Sequence, residues 1–114
     1  MKGRRIVLFD ALANTGTPYL MSDDFEWDDN KAAKNFRDHK VTFEIARDVF
    51  ADPFIVERLD EGHGDSEQRF AALGVVAGRL VFVSYALRGD AIGIISARRT
   101  EPWERRRYYN ENQT

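Results

Sequence analysis

The stretch RFAALGVVAGRLVFVSYALRGDAIGIISA, residues 69–97, decides the fold. Two turn signals divide it. Ala77-Gly78 separates an apolar run over residues 69–76 from a second over 79–87, and Arg88-Gly89-Asp90 separates that run from a third over 91–97. Short apolar runs bounded by tight turns read as strands. Links this short can join only antiparallel neighbours. Upstream, Phe54 to Leu59 adds another run, joined through an Asp60 to Asp65 loop that carries Gly62 and Gly64. The reading is a four-stranded antiparallel meander.

The segments on either side of the meander have helical rather than strand spacing. Asp28 and Asp29 suit the N-cap and first turn of a helix over residues 29–39, whose Ala32, Ala33 and Phe36 form an apolar stripe. Thr42 caps a second helix over about 43–51, with Phe43, Ala46, Val49 and Phe50 at helical spacing, and Asp52-Pro53 ends it. After the meander, Thr100 caps a last helix with Pro102 in its first turn. Phe36, Phe43, Phe50, Phe70 and Phe82 fall on the apolar faces and are expected in the core. Phe25-Glu26-Trp27 alternates like a short strand. The fold class is α+β: two N-terminal helices, the four-stranded meander and a C-terminal helix, with helices covering the apolar side of the sheet. Residues 25–114 read as one domain. Residues 1–24 read as an N-terminal extension, loosely held or added to a sheet edge as a strand over 5–9, with Met21 as an alternative start.

Composition narrows the function. The chain of 114 residues is 43% hydrophobic and 12% aromatic, which is enough for a compact core and argues against global disorder. The net charge is −2, so any contact with nucleic acid must come from a local basic patch. The absence of cysteine removes disulfides, thiolate metal sites and cysteine nucleophiles. No apolar run approaches a membrane span, and the default compartment is the cytoplasm.

The richest chemistry lies at the C-terminus. Arg98 and Arg99 end the last strand, and Arg105, Arg106 and Arg107 follow on the last helix among Trp103, Tyr108 and Tyr109. Arginine forks match phosphate oxygens, and aromatic faces stack on unpaired bases. Arg79 and Arg88 sit in turns of the same sheet. Because neighbouring strand residues face opposite sides, one of Arg98 and Arg99 should face the cleft side of the sheet. His39 closes the first helix and is a candidate general acid or base, whereas His63 sits between loop glycines. The acidic run Asp23, Asp24, Glu26, Asp28 and Asp29 reads as capping and solubility rather than a metal site.

A resemblance then becomes specific. Phe25-Glu26-Trp27-Asp28 with Lys31, Asn35 and His39, followed by Val41-Thr42-Phe43-Glu44 and Ala46, resembles the start of the BrnT toxins. Glu67-Gln68-Arg69-Phe70, Gly74, Gly78-Arg79-Leu80 and Arg88-Gly89-Asp90 follow in that family's order. Ile94-Ile95-Ser96-Ala97-Arg98-Arg99, with Glu104-Arg105 and Tyr108 after it, is the most specific part. The likeness spans roughly residues 25–109.

The resemblance implies a RelE-like α+β fold and a ribonuclease toxin of a type II toxin–antitoxin module that arrests translation. It implies a BrnA-like antitoxin as partner, through which the complex would reach operator DNA and oligomerise. It implies no metal and no cofactor. Metal-free RNA cleavage turns the 2′-hydroxyl on the adjacent phosphate and needs a proton acceptor, a proton donor and cations around the developing charge. Arg98 is the first choice for phosphate stabilisation, with Arg99 and Arg88 next, and Arg98→Ala is expected to cut cleavage while leaving the fold intact. His39 and Lys31 are candidates for proton transfer or charge stabilisation. Trp27 and Tyr108 are candidates for base stacking, and Arg79 and Arg105 for further RNA contact. An antitoxin covering this basic face should be acidic or amphipathic and should touch Arg105 and Arg106.

The chain departs from the family pattern in three places. Gly93 stands where members usually carry an arginine between the isoleucines of the last strand. Asp38-His39-Lys40 replaces Lys-His-Gly, and Thr100-Glu101-Pro102-Trp103 replaces a basic helix start. With a cation near Arg98 removed, the alternative reading is a catalytically silent BrnT-like module that binds an antitoxin within a DNA-binding autoregulatory complex.

Overall fold

The computed structural model describes residues 4–7, 21–61 and 67–113. Its elements run β1 (Arg4–Val7), β2 (Met21–Glu26), α1 (Asp29–His39), α2 (Phe43–Val49), β3 (Val56–Asp60), β4 (Arg69–Val76), β5 (Arg79–Arg88), β6 (Ala91–Arg99) and α3 (Pro102–Glu111). The expected meander is present, because β3, β4, β5 and β6 pair antiparallel in sequence order. The sheet, however, is larger than four strands and is mixed. Its order is β1-β2-β6-β5-β4-β3, with β2 parallel to β6 and β1 antiparallel to β2. The strand read at Phe25–Trp27 thus begins at Met21 and docks on the last strand of the meander. Phe25, fully buried, is the reason it docks there. His63 lies outside the described residues.

Local chemistry sets the helix ends. The Asp28 carboxylate accepts from the Asn30 and Lys31 amides at 2.8 and 3.1 Å, and Thr42 Oγ1 accepts from the Ile45 amide at 3.1 Å. Lys40 closes α1 in the left-handed region at φ 61°. That is the position where the resemblance expects glycine, and the backbone keeps the glycine-like geometry with a lysine in place. The last helix begins one residue later than expected. Glu101 rather than Thr100 is its N-cap, in a reciprocal capping box with Glu104.

The sheet has two covered regions. α1 and α2 pack on one face over Phe25, Val83, Tyr85, Ile92, Ile94 and Ala97. α3 packs on the other face but reaches only one end of it, over Val56, Leu73, Leu80 and Phe82 through Tyr108. Asn35 ties α1 to the sheet. Its amide group donates to the Val41 and Ala97 carbonyls at 2.9 Å and its oxygen accepts from the Ala97 amide at 3.1 Å. Asp52 ties α3 down in the same way. Its carboxylate accepts from the Phe54 amide, the Val75 amide and the Tyr108 hydroxyl at 2.6 to 2.8 Å. Phe36 does not join the core. It is 47% exposed beside buried Asn35, and Lys40 Nζ lies 5.6 Å from its ring.

A β-bulge decides which way the end of β6 faces. Ser84 pairs with Ser96 but Tyr85 pairs with Ile94, so Ile95 is an extra residue on β6. The bulge lets Ile92, Ile94 and Ala97 all face α1 and α2 despite the odd spacing of the last two. It also turns Arg98 toward α3 and Arg99 toward the opposite face.

Gly74 marks the closest approach of α2 to the sheet. A Cβ there would lie 2.7 Å from Val49 Cγ1 and 2.8 Å from the Val49 carbonyl oxygen. A backbone atom cannot swing aside, so Gly74→Ala is expected to cost about 1 to 3 kcal/mol. The midpoint of urea unfolding would report the loss.

Candidate functional site

Register places the residues that α3 leaves uncovered into rows across the sheet, because directly paired residues share a face. Under α3 runs Val56, Leu73, Phe82 and Arg98. The next row is Arg58, Ala71, Ser84 and Ser96. Beyond it comes Asp60, Arg69, Ala86, Gly93 and Glu26, and the last row is Arg88, Ala91 and Asp24. The centre of this half-face is a floor of small residues. Ala71, beside α3, and Ser84, Ala86 and Gly93 beyond it are all buried. The guanidinium of Arg88 lies over one of them, Gly93.

Arg88 is the best-defined of these cations. Its Nε and Nη2 donate to the two oxygens of Glu67 at 2.8 and 3.1 Å. The rest of the guanidinium lies against Gly93, where a Cβ would come within 2.6 Å of Nη1. Gly93 is therefore the seat of Arg88, an arginine from the neighbouring strand. Glu67 sits among cations. Its carboxyl is held below the ordinary carboxylate range, first by the hydrogen bond from Arg88 and then by the charges of Arg88, Arg69 and Lys31. Arg88 in turn is raised by Glu67, with a smaller contribution from Glu26. Of the residues named from sequence, Arg88 is the one that binds this carboxylate directly, and Lys31 adds a weaker field.

Arg98 is elsewhere and differently engaged. Seven residues of strand separate it from Ala91, about 23 Å at full extension. Its Nη1 and Nη2 form a fork with both Glu104 oxygens at 2.9 Å, and Nη1 also donates to the Arg99 carbonyl at 3.0 Å. The guanidinium carbon stands 4.0 Å from the centre of the Phe82 ring. Glu104 is 1% exposed, so this is a buried carboxylate meeting a cation that ties β6 to α3. A small crevice beside it is lined by Arg58, Phe82, Trp103 and Arg107.

The remaining sequence-named residues do not converge on either place. His39 is exposed at the C-terminal end of α1, away from Lys31 in its first turn. Arg99 is exposed on the opposite side of the sheet from Arg98. Arg79 is exposed beside the Ala77–Gly78 turn, and Arg105 is exposed on α3. Trp27 packs edge-on against Phe43, with ring centres 5.9 Å apart. Tyr108 is not presented for stacking. It is 4% exposed and its hydroxyl donates to Asp52 at 2.6 Å. Burial and the Asp52 carboxylate push that hydroxyl above the ordinary tyrosine range. Sequence reading missed Glu67, Arg69 and Arg58 as site residues. The first two stand in the Glu67-Gln68-Arg69-Phe70 string and carried a signal, whereas Arg58 is recognisable only once the register is known.

The sequence model of the family described as "Ribonuclease toxin, BrnT, of type II toxin-antitoxin system" matches residues 27–104, from Trp27 to Glu104. The chain belongs to the BrnT family. The matched span covers α1 through β6 and reaches the Glu104 that grips Arg98. A BrnT protein is by description a ribonuclease toxin, and its type II module brings an antitoxin as partner. Comparison with the curated proteins gives no match. No helix among the described residues of this BrnT chain is long and apolar enough to cross a membrane.

Proposed function

We propose that this BrnT chain is a RelE-like toxin that cleaves RNA without a metal in the cytoplasm, arrests translation, and is silenced by a BrnA-like antitoxin that carries the complex to operator DNA. The observation that supports the reading is the Arg88 guanidinium seated on Gly93 in a fork with Glu67, on the sheet face that Arg69 shares. Such a cluster can hold an RNA phosphate and stabilise the charge that grows on it as the 2′-oxygen attacks. Arg88 takes the role of phosphate cation, and Arg98 the role of fastening α3.

Inducing the chain alone in bacteria tests the reading. Growth arrest, with cleaved messenger RNA and relief by a co-expressed antitoxin, is the expected result. Normal growth with intact RNA, at a level where the folded chain is detectable, would overturn it.

A further inference from the structure

The cations of the uncovered half-face explain how a phosphate would be held, but they do not explain where the 2′-hydroxyl proton goes. Resting on the ribonuclease reading above, we infer that Glu67 is the proton acceptor for the attacking 2′-hydroxyl of RNA.

Geometry carries this. Glu67 and Arg88 share two parallel bonds through Nε and Nη2, while Nη1 lies over Gly93 and takes no part in the fork. A phosphate received on Nη1 therefore shares one guanidinium with the Glu67 carboxylate, and that guanidinium is held flat against the Cβ-free surface of Gly93. The 2′-oxygen of the preceding ribose lies beside that phosphate. The side chains of Glu67 and Arg88 are 39% and 41% exposed, so both are open to a substrate that arrives from solvent. His39 cannot take the role on this surface, because it stands at the far end of α1 from Lys31. Glu26 contributes a weaker field at Arg88 and no hydrogen bond to it among those of the described residues.

The step balances without a co-reactant other than water. The 2′-oxygen forms a bond to phosphorus as its proton passes to a Glu67 oxygen. The bond from phosphorus to the 5′-oxygen breaks, and that oxygen leaves with a proton from solvent water at this open surface. Glu67 returns its proton to solvent. The products are a 2′,3′-cyclic phosphate and a 5′-hydroxyl end, and nothing is oxidised or reduced. Arg88 keeps Glu67 ionised, which holds the acceptor ready across the neutral range.

The test uses the purified full chain on end-labelled single-stranded RNA, free and on translating ribosomes. Glu67→Gln keeps the shape and an oxygen for Arg88 but cannot accept the proton. It is expected to lower kcat about 10²- to 10⁴-fold with little change in KM. The parent rate should fall as pH drops through the Glu67 ionisation, and that acid limb should be missing from the residual rate of Glu67→Gln. Glu67→Asp, which retains a carboxylate, should keep more of the rate than Glu67→Gln and gives a second comparison if the amide variant folds poorly. Parental or faster cleavage by folded Glu67→Gln overturns the proposal while the ribonuclease reading stands; faster cleavage would mean that Glu67 only occupies the phosphate's place. A parent chain that cleaves neither substrate ends both.

Discussion

Arg98→Ala is expected to cost this BrnT chain about 3 to 5 kcal/mol, the usual penalty for stripping the partner from a buried charge. Glu104 is 1% exposed and receives its two shortest guanidinium contacts from Arg98. Without them its carboxylate keeps only the Glu101 amide at 2.7 Å. A domain of this size is held by about 5 to 15 kcal/mol in all, so the loss should be plain in thermal unfolding. The sequence-based expectation was the reverse, a lost activity on an intact fold. A paired variant separates the two effects. Arg98→Met with Glu104→Leu removes both charges and fills the space, and it should recover most of the stability. If the recovered protein cleaves RNA at the parental rate, Arg98 acts on the fold alone. If it is stable and inactive, Arg98 belongs to the chemistry.

Arg88→Ala should behave in the opposite way. Both members of the Arg88–Glu67 pair are about two-fifths exposed, and an ion pair in that setting stabilises by about 1 kcal/mol or less. The melting temperature should therefore change little. Removing the cation that faces the developing phosphate charge should lower cleavage about 10²- to 10³-fold. Arg88→Lys should restore only part of the rate, because an ammonium cannot hold Glu67 by a fork and still present a further donor over Gly93. Parental cleavage by Arg88→Ala would move the site to the α3 end of the sheet.

The contrast between these two arginines shows what could be read from sequence. The meander was legible because turns at Ala77-Gly78 and Arg88-Gly89-Asp90 cut the apolar runs cleanly. β2 was legible only at Phe25-Glu26-Trp27, since Met21 to Asp24 lacks an apolar alternation and its partner is far along the chain. A parallel neighbour leaves no local mark. Phe36 sat at helical spacing with Ala32, yet the residue buried beside it is Asn35, whose hydrogen bonds to Val41 and Ala97 no apolar count can see. Arg98 and Arg88 were both named as cations. Their separate tasks depend on Glu104, which reads as a surface helix residue, and on Glu67, which reads as part of a loop edge. The close seat of Arg88 on Gly93 likewise appears only once the pairing of Arg88 with Ala91 and of Ala86 with Gly93 is known.

The bulge at Ile95 makes the two ends of β6 separately adjustable. Upstream of it, Gly93 keeps company with the row that seats Arg88, and downstream the parity of every side chain is reset. Deleting Ile95 would close the bulge and leave Arg98 opposite Phe82 beneath α3 and the Arg88 seat as it is. A single strand thus serves as two independent rulers, one that keeps the helix fastened and one that keeps a guanidinium flat against bare backbone, and sequence drift in either can proceed without retuning the other.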